Sequence, residues 1–380
     1  RQVDMGDGET FRWALESQST SPSDSIATDA IDDSSGGMRF EDQSNLRGLI
    51  HTCAISQLES ESSIAIYQSN AGAAGVIDFD LDGWPDVYLT MIDGQPLKNN
   101  SSPNRLFRNL SGQFADVTIG SSVGDRGFSQ GIAVGDYNAD GFADLWVANI
   151  GRNQLYRNNG DGSFSDVTDE IGFSDQQWTT SVAIADFDGD SIADLFEVQY
   201  CAGDQAYSQQ CIDSELGEPR SCSPLVFAAE LDRVWKGQPN GSFNDVSTDW
   251  LVDQKPGHGL GLVVGRIDDQ VGLDVYVAND MTANQFWSSQ RTDNSHRFSE
   301  QAAIRGLAVN SRSQSQASMG MAIGDADADG DLDLFLTHFT DDYDTLYEQV
   351  APGAWFDKSS TVGLDVPTNR MLGFGTEWID

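Results

Sequence analysis

The sequence predicts an all-β fold, a propeller of four-stranded blades, and three observations carry that expectation. The first is a nine-residue acidic loop that recurs along the chain. It reads Asp78-Phe-Asp80-Leu-Asp82-Gly83-Trp84-Pro-Asp86, then Asp136-Tyr-Asn138-Ala-Asp140-Gly141-Phe142-Ala-Asp144. A third copy is Asp186-Phe-Asp188-Gly-Asp190-Ser191-Ile192-Ala-Asp194, and a fourth is Asp325-Ala-Asp327-Ala-Asp329-Gly330-Asp331-Leu-Asp333. The second observation is that strand-like segments flank each loop. The third is that two further motifs follow each loop, making four short strands per unit, a spacing typical of propeller blades.

Taken in order, each unit opens with a small-residue apolar run, such as 131–135 or 181–185. The acidic loop follows. The second strand leaves it at 86–90, 144–148 and 333–337, rich in β-branched and aromatic residues. A third strand is marked by Asn-x-Leu-aromatic-Arg-Asn at 104–109 and 153–158, with looser copies at 232–235, 284–287 and 344–347. The fourth is marked by Gly-x-Phe-x-Asp-Val-Thr/Ser at 112–118, 162–168 and 241–247, with weaker traces at Phe298 and at 355–357.

The loop suits a hard cation. Calcium takes six to eight oxygen ligands. Side chains at positions 1, 3, 5 and 9 can converge on one ion, and position 7 (Trp84, Phe142, Ile192 or Asp331) can offer its backbone carbonyl. Glycine at position 6 permits a left-handed turn. Without a cation, carboxylates this close repel one another. The sequence therefore predicts about four Ca²⁺ sites. An EF-hand requires a Glu at position 12 and helical flanks. Position 12 here is Leu89, Val147, Glu197 and Leu336, and the flanks are strand-like.

One copy is degraded. Before residue 274 the register places Arg266 at position 1, Asp268 at 3, Gln270 at 5 and Asp274 at 9. This reads as a loop without calcium, whose Arg266 guanidinium lies near Asp268 and Asp274. Residues 373–380 have the register of a pre-loop strand, with Asp380 opening a sixth loop, so the chain reads as cut in mid-motif. Phe40-Glu-Asp42 resembles a fourth strand without its blade, suggesting closure of the ring. Residues 1–37 read as tail or linker and 38–380 as propeller.

The loop-to-loop step from 186 to 266 is 80 residues, so 199–236 reads as an insertion. It holds Cys201, Cys211 and Cys222, while Cys53 lies far upstream. The favoured disulfide is Cys211–Cys222, with Cys53–Cys201 second. Zinc is the other reading, but no Cys-x-x-Cys pair supports it. This insertion breaks the rhythm of the repeat and is the expected partner surface.

With 21 basic against 60 acidic residues the formal net charge is −39, which argues against nucleic acid and anionic lipid as partners. No apolar run of about 20 residues is present, so no transmembrane segment is expected. Low-affinity calcium loops and a disulfide point to a secreted, cell-surface or periplasmic protein.

These segments together resemble the FG-GAP or VCBS repeats of integrin-α-type β-propellers. The third- and fourth-strand motifs are similar to the cartilage-acidic-protein and UnbV-like branch. The resemblance covers roughly residues 38–380. It implies a seven-bladed propeller with calcium at the loops and says little about activity.

The leading functional expectation is a non-enzymatic, extracellular, calcium-stabilised module that binds a protein or glycan as part of a larger cell-surface assembly. One rival is a polysaccharide lyase or dehydratase, for which His51, His258, His296, His338, Tyr200 and Arg220 are candidate bases and carboxylate partners. The other is a lectin using Trp84, Trp178 or Trp235 to stack on sugars. No lipase, phosphate-loop or metalloprotease motif occurs.

Overall fold

The computed structural model describes residues 2–4, 10–12, 40–55, 64–172, 177–213, 217–268, 270–292 and 295–378. Residues 1–43 and 44–380 are separate units. In the first, β1 (Gln2–Asp4) pairs antiparallel with β2 (Thr10–Arg12). Most of the expected tail lies outside the described residues.

In the second unit the strands come in antiparallel quartets. β3 (Ala74–Ile77), β4 (Asp86–Leu89), β5 (Arg105–Leu110) and β6 (Gln113–Asp116) form the first blade. β7 (Ser129–Gly135), β8 (Asp144–Gly151), β9 (Gln154–Asn158) and β10 (Phe164–Asp166) form the second. The third starts with β11 (Gln177–Ala185) and β12 (Asp194–Gln199). Inside the insertion, β13 (Cys201–Ala202) pairs with β16 (Ala228–Ala229), and β14 (Cys211–Ile212) with β15 (Pro219–Arg220). The third blade then resumes with β17 (Arg233–Gly237) and β18 (Phe243–Asp245). β19 (Gly259–Gly265), β20 (Asp274–Asn279), β21 (Gln285–Thr292) and β22 (Ser295–Glu300) form the fourth blade. β23 (Ser318–Gly324), β24 (Asp333–His338), β25 (Thr345–Ala351) and β26 (Ala354–Asp357) form a fifth.

Alternation along these strands buries one apolar face against each neighbouring blade. Trp146, Leu155, Val182 and Leu195 fill the space between blades two and three. Phe196, Val275, Trp287 and Phe298 fill the next, and Tyr276, Phe286, Leu334 and Tyr347 the one after. No blade has a core of its own, which is why the sequence repeats.

The first strands of successive blades lie side by side. Register shifts interrupt β7, β11, β19 and β23 near their starts, marking a bulge at the same place in each. There Thr180 Oγ1 donates to Gly259 O at 2.7 Å and Ser181 Oγ to Leu260 O at 2.6 Å. Gln130, Thr180, Leu260, Met319, Gly72 and Phe374 line a cavity of about 150 Å³ at this level. Small residues permit the approach. A Cβ on Gly261 would stand 2.6 Å from Met319 O, inside contact distance. Gly261→Ala should therefore lower stability by about 1–3 kcal/mol in a denaturant melt, because the backbone opposite cannot yield cheaply.

Two expectations about the ends change. Residues 40–43 are irregular rather than a strand, and Phe40 is 76% exposed. Residues 371–378 form no ladder. Even so, Gly373 N donates to His338 O at 3.1 Å and Phe374 O accepts from Thr337 Oγ1 at 2.9 Å, beside β23. Asp380 lies outside the described residues.

The insertion folds inward. Tyr200, Cys201, Ala206, Cys222 and Phe227 pack with Ala65, Ile66, Tyr67, Phe128 and Trp178 in one buried cluster. Cys211 and Cys222 form a disulfide. Cys53 and Cys201 are unpaired thiols, so that pairing is corrected. Cys201 is held in the insertion core by β13, whereas Cys53 is exposed and sits beside Gly72 of the first blade.

Candidate metal-binding loops

Each acidic loop is a self-bonded turn between the first and second strands of its blade. The carboxylate at position 1 takes two backbone N–H groups. Asp78 accepts from Asp82 N at 3.1 Å and Gly83 N at 3.0 Å. Asp136, Asp186 and Asp325 do the same toward positions 5 and 6 of their loops. The carboxylates at position 5 (Asp82, Asp140, Asp190 and Asp329) accept from the N–H of position 7 at 2.9–3.1 Å. This turn needs two left-handed residues, not one. Position 6 is Gly83, Gly141, Ser191 and Gly330, all at positive φ. Position 4 is also left-handed, at Leu81, Ala139, Gly189 and Ala328. The sequence signalled only the glycine at position 6.

Position 9 has a role the sequence did not reveal. Asp86, Asp144, Asp194 and Asp333 are wholly buried. One oxygen accepts from the N–H of loop position 2 and the other from a third-strand N–H. For Asp144 these are Tyr137 N at 3.0 Å and Asn158 N at 2.7 Å. Asp86, Asp194 and Asp333 repeat the pair with Phe79 and Asn109, Phe187 and Gly237, and Ala326 and Gln349. The residue therefore ties loop to blade. Burial pushes Asp144 and Asp194 up to about 7 against the pull of those N–H donors.

Oxygens from positions 1, 3 and 9 converge in three loops. In Asp78/Asp80/Asp86, Asp186/Asp188/Asp194 and Asp325/Asp327/Asp333 the ligand atoms lie within 4.8 Å of one another. In the loop from Asp136, position 3 is Asn138, whose Nδ2 donates to Asp140 Oδ2 at 2.9 Å. Asp80 Oδ1 and Asp331 Oδ1 are buried without a hydrogen-bond partner. Burial, with repulsion from Asp329, Asp333 and Asp327, pushes Asp331 up to about 6. An all-oxygen donor set with orphaned carboxylate oxygens fits a hard divalent cation.

The degraded loop is balanced differently from the expectation. Arg266 is exposed. The cation that meets Asp268 is Arg305, at the end of the short helix Ala302–Arg305, with Nη2 at 2.8 Å from Asp268 Oδ2. Ser288 Oγ donates to the same oxygen at 2.9 Å. Arg305 also reaches Gly353 O and Gln301 Oε1 and lies over the Phe286 ring. Position 1 of the loop faces solvent, so an inward partner has to come from the neighbouring layer. Asp274 keeps the position-9 bonds, from Ile267, Asp268 and Ser289 N–H groups.

The other candidates are dispersed. His258 stands edge-on to Tyr200 with centroids at 5.8 Å, and Tyr200 Oη donates to Asp280 at 2.6 Å under the insertion. His296 is buried against Trp250 and Phe298, and Arg220 pairs with Asp213 on the insertion hairpin. His51 is half-buried. Trp178 is buried and donates to Gln130, Trp235 is half-buried and donates to Glu197, and Trp84 is 44% exposed.

His338 is buried, with Nε2 3.3 Å from Ser318 Oγ. Burial lowers its pKa to about 4, against the pull of Asp357 and the Tyr343 backbone. A lowered imidazole pKa means that the folded state binds fewer protons than the unfolded one. Its contribution is complete above about pH 6.5 and is lost as pH falls toward 4. Melts across that window should show His338→Gln flattening the acid loss relative to wild type, by up to about 3 kcal/mol at full titration.

A family model described as an FG-GAP-like repeat matches residues 78–147 and 136–196. No curated protein matches the chain. One solved structure, described as an Agrocybe aegerita lectin that recognises non-reducing terminal N-acetylglucosamine, aligns at 13% identity with a TM-score of 0.41. That alignment covers 74% of this chain and 64% of the other. The repeat match falls on the first three acidic loops and the strands around them. Over residues 78–196, then, the chain is similar to FG-GAP-like repeats, and that stretch is carried on the antiparallel blades of a β-propeller.

Proposed function

We propose that the chain is an extracellular propeller whose acidic loops hold calcium as scaffold, and whose outer surface binds a protein or glycan. The observation that carries the reading is the convergence of three loop carboxylates within 4.8 Å in each of three blades, inside turns already closed by their own hydrogen bonds. Positions 1, 3 and 5 would hold the ion with the position-7 carbonyl. The position-9 carboxylate would offer its remaining lone pairs while still tying the blade. The ion would neutralise clustered charge and so favour the folded state. Four divalent ions would add +8 to the formal −39 and leave −31.

The insertion is the surface we assign to the partner. Its inner side is packed, but Ile212, Leu225 and Val226 are exposed, and the Cys211–Cys222 bridge holds its hairpin in shape. The test is calcium-loaded full chain against a glycan array and a panel of extracellular domains, with uronate polysaccharides assayed in parallel for unsaturated product. Saturable binding that weakens in Ile212→Asp and Leu225→Asp, with an unchanged melt, is expected. Turnover of a polysaccharide would overturn the binding reading.

A further inference from the structure

We propose that one position of the third strand grades the loops in their affinity for calcium: Arg108 and Lys236 compete with the ion in their own loops, whereas Glu348 leaves the last loop the tightest. This rests on the calcium reading above. The position is the fifth residue of the third-strand motif, occupied in turn by Arg108, Arg157, Lys236, Ser288 and Glu348. It lies beside the second strand, which leaves the loop, so its side chain can reach back to the carboxylates.

In two blades a cation does reach them. Arg108 Nη2 is 2.5 Å from Asp80 Oδ2 and 3.0 Å from Asp82 Oδ2. Lys236 Nζ contacts Asp188 Oδ2 and lies 2.6 Å from Asp190 Oδ2. Each nitrogen bridges positions 3 and 5, where an ion would draw its ligands. In the fourth blade the same position gives Ser288, which joins Arg305 on Asp268. Two blades thus use this position to balance the charge of their loop, and the fourth places there a hydroxyl beside the Arg305 guanidinium.

The fifth blade reverses the sign. Glu348 pairs with Lys358 at 3.2 Å, and the loop beside it carries Asp325, Asp327, Asp329, Asp331 and Asp333. Among the described residues no basic side chain forms an ion pair with that loop. Calcium entering the loops from Asp78 or Asp186 must displace an ammonium or guanidinium from two carboxylates, or bind beside it. At the loop from Asp325 it meets uncompensated negative charge. One such charge is expected to alter affinity by roughly tenfold or more. The chain would then fill its loops stepwise as calcium rises, the first and third last, with their own cations holding them folded until then.

The test is a calcium titration of the chelator-stripped full chain at low salt, followed by calorimetry and by the number of ions bound at each calcium concentration. Wild type should show distinct tight and weak classes. Lys236→Met and Arg108→Met, which keep the apolar stem, should each move one ion from the weak class to the tight one, and Lys236→Arg should not. Glu348→Lys should move one ion the other way. If wild type binds calcium and none of these substitutions redistributes the classes, the grading is overturned while the calcium reading stands. If no protein in the set takes up calcium, the calcium reading falls and the grading with it.

Discussion

Asp274→Ala should destabilise the chain by about 2–6 kcal/mol, equally with calcium and with chelator. Asp274 sits in the blade whose loop lacks carboxylates at positions 1 and 5, yet it is 1% exposed and its carboxylate takes three backbone N–H groups from Ile267, Asp268 and Ser289. Removing it leaves those donors buried without acceptors, at about 1–3 kcal/mol for each that finds no substitute. Whole domains are stable by only about 5–15 kcal/mol, so the loss would be plain in a denaturant melt. Asp144→Ala should cost a similar amount in chelator, because Tyr137 and Asn158 lose the same acceptor. Asp140→Ala should cost little in chelator and more in calcium, since its carboxylate is at the solvent edge of the loop. If Asp144→Ala were harmless in chelator, the ninth residue would be a ligand alone and not a tie.

Arg305→Ala should be as damaging, by about 3–5 kcal/mol, because it strands the Asp268 carboxylate, whose side chain is 1% exposed. The double variant Arg305→Met with Asp268→Leu should recover most of that loss, since it removes both charges and fills the space. Recovery separates a charge effect from lost packing over Phe286. A single variant that melts like wild type would mean that the Ser288 hydrogen bond suffices for Asp268 without the guanidinium.

The loop and its strands could be read from the chain because every ligand and turn residue lies within nine positions of the others. Blade organisation could be read for a similar reason, since each motif recurs at a fixed offset from its loop. What escaped depends on contacts between distant segments. Arg305 follows Asp268 by 37 residues and reaches it only because a short helix packs over the blade. Arg266, only two residues from Asp268, turns to solvent. The backbone tie made by position 9 was hidden because an expected ligand and a backbone acceptor call for the same residue. The left-handed position 4 was hidden because Leu81, Ala139 and Ala328 give no sign of it. The insertion's three cysteines were visible, but its packing onto Tyr67, Phe128 and Trp178 draws on three separate stretches of chain.

If calcium fills the four acidic loops and stabilises the folded chain, ion uptake and melting temperature must change together. Counting the ions on the full chain by native mass spectrometry, with melts in calcium and in chelator on the same preparation, tests it most directly. Uptake is expected by the loops from Asp78, Asp136, Asp186 and Asp325, none by the loop from Arg266, with a melting temperature that falls on chelation. Each filled site adds about 2.7 kcal/mol at a hundredfold excess over its Kd. A chain that binds no calcium and melts identically in chelator would contradict the calcium reading.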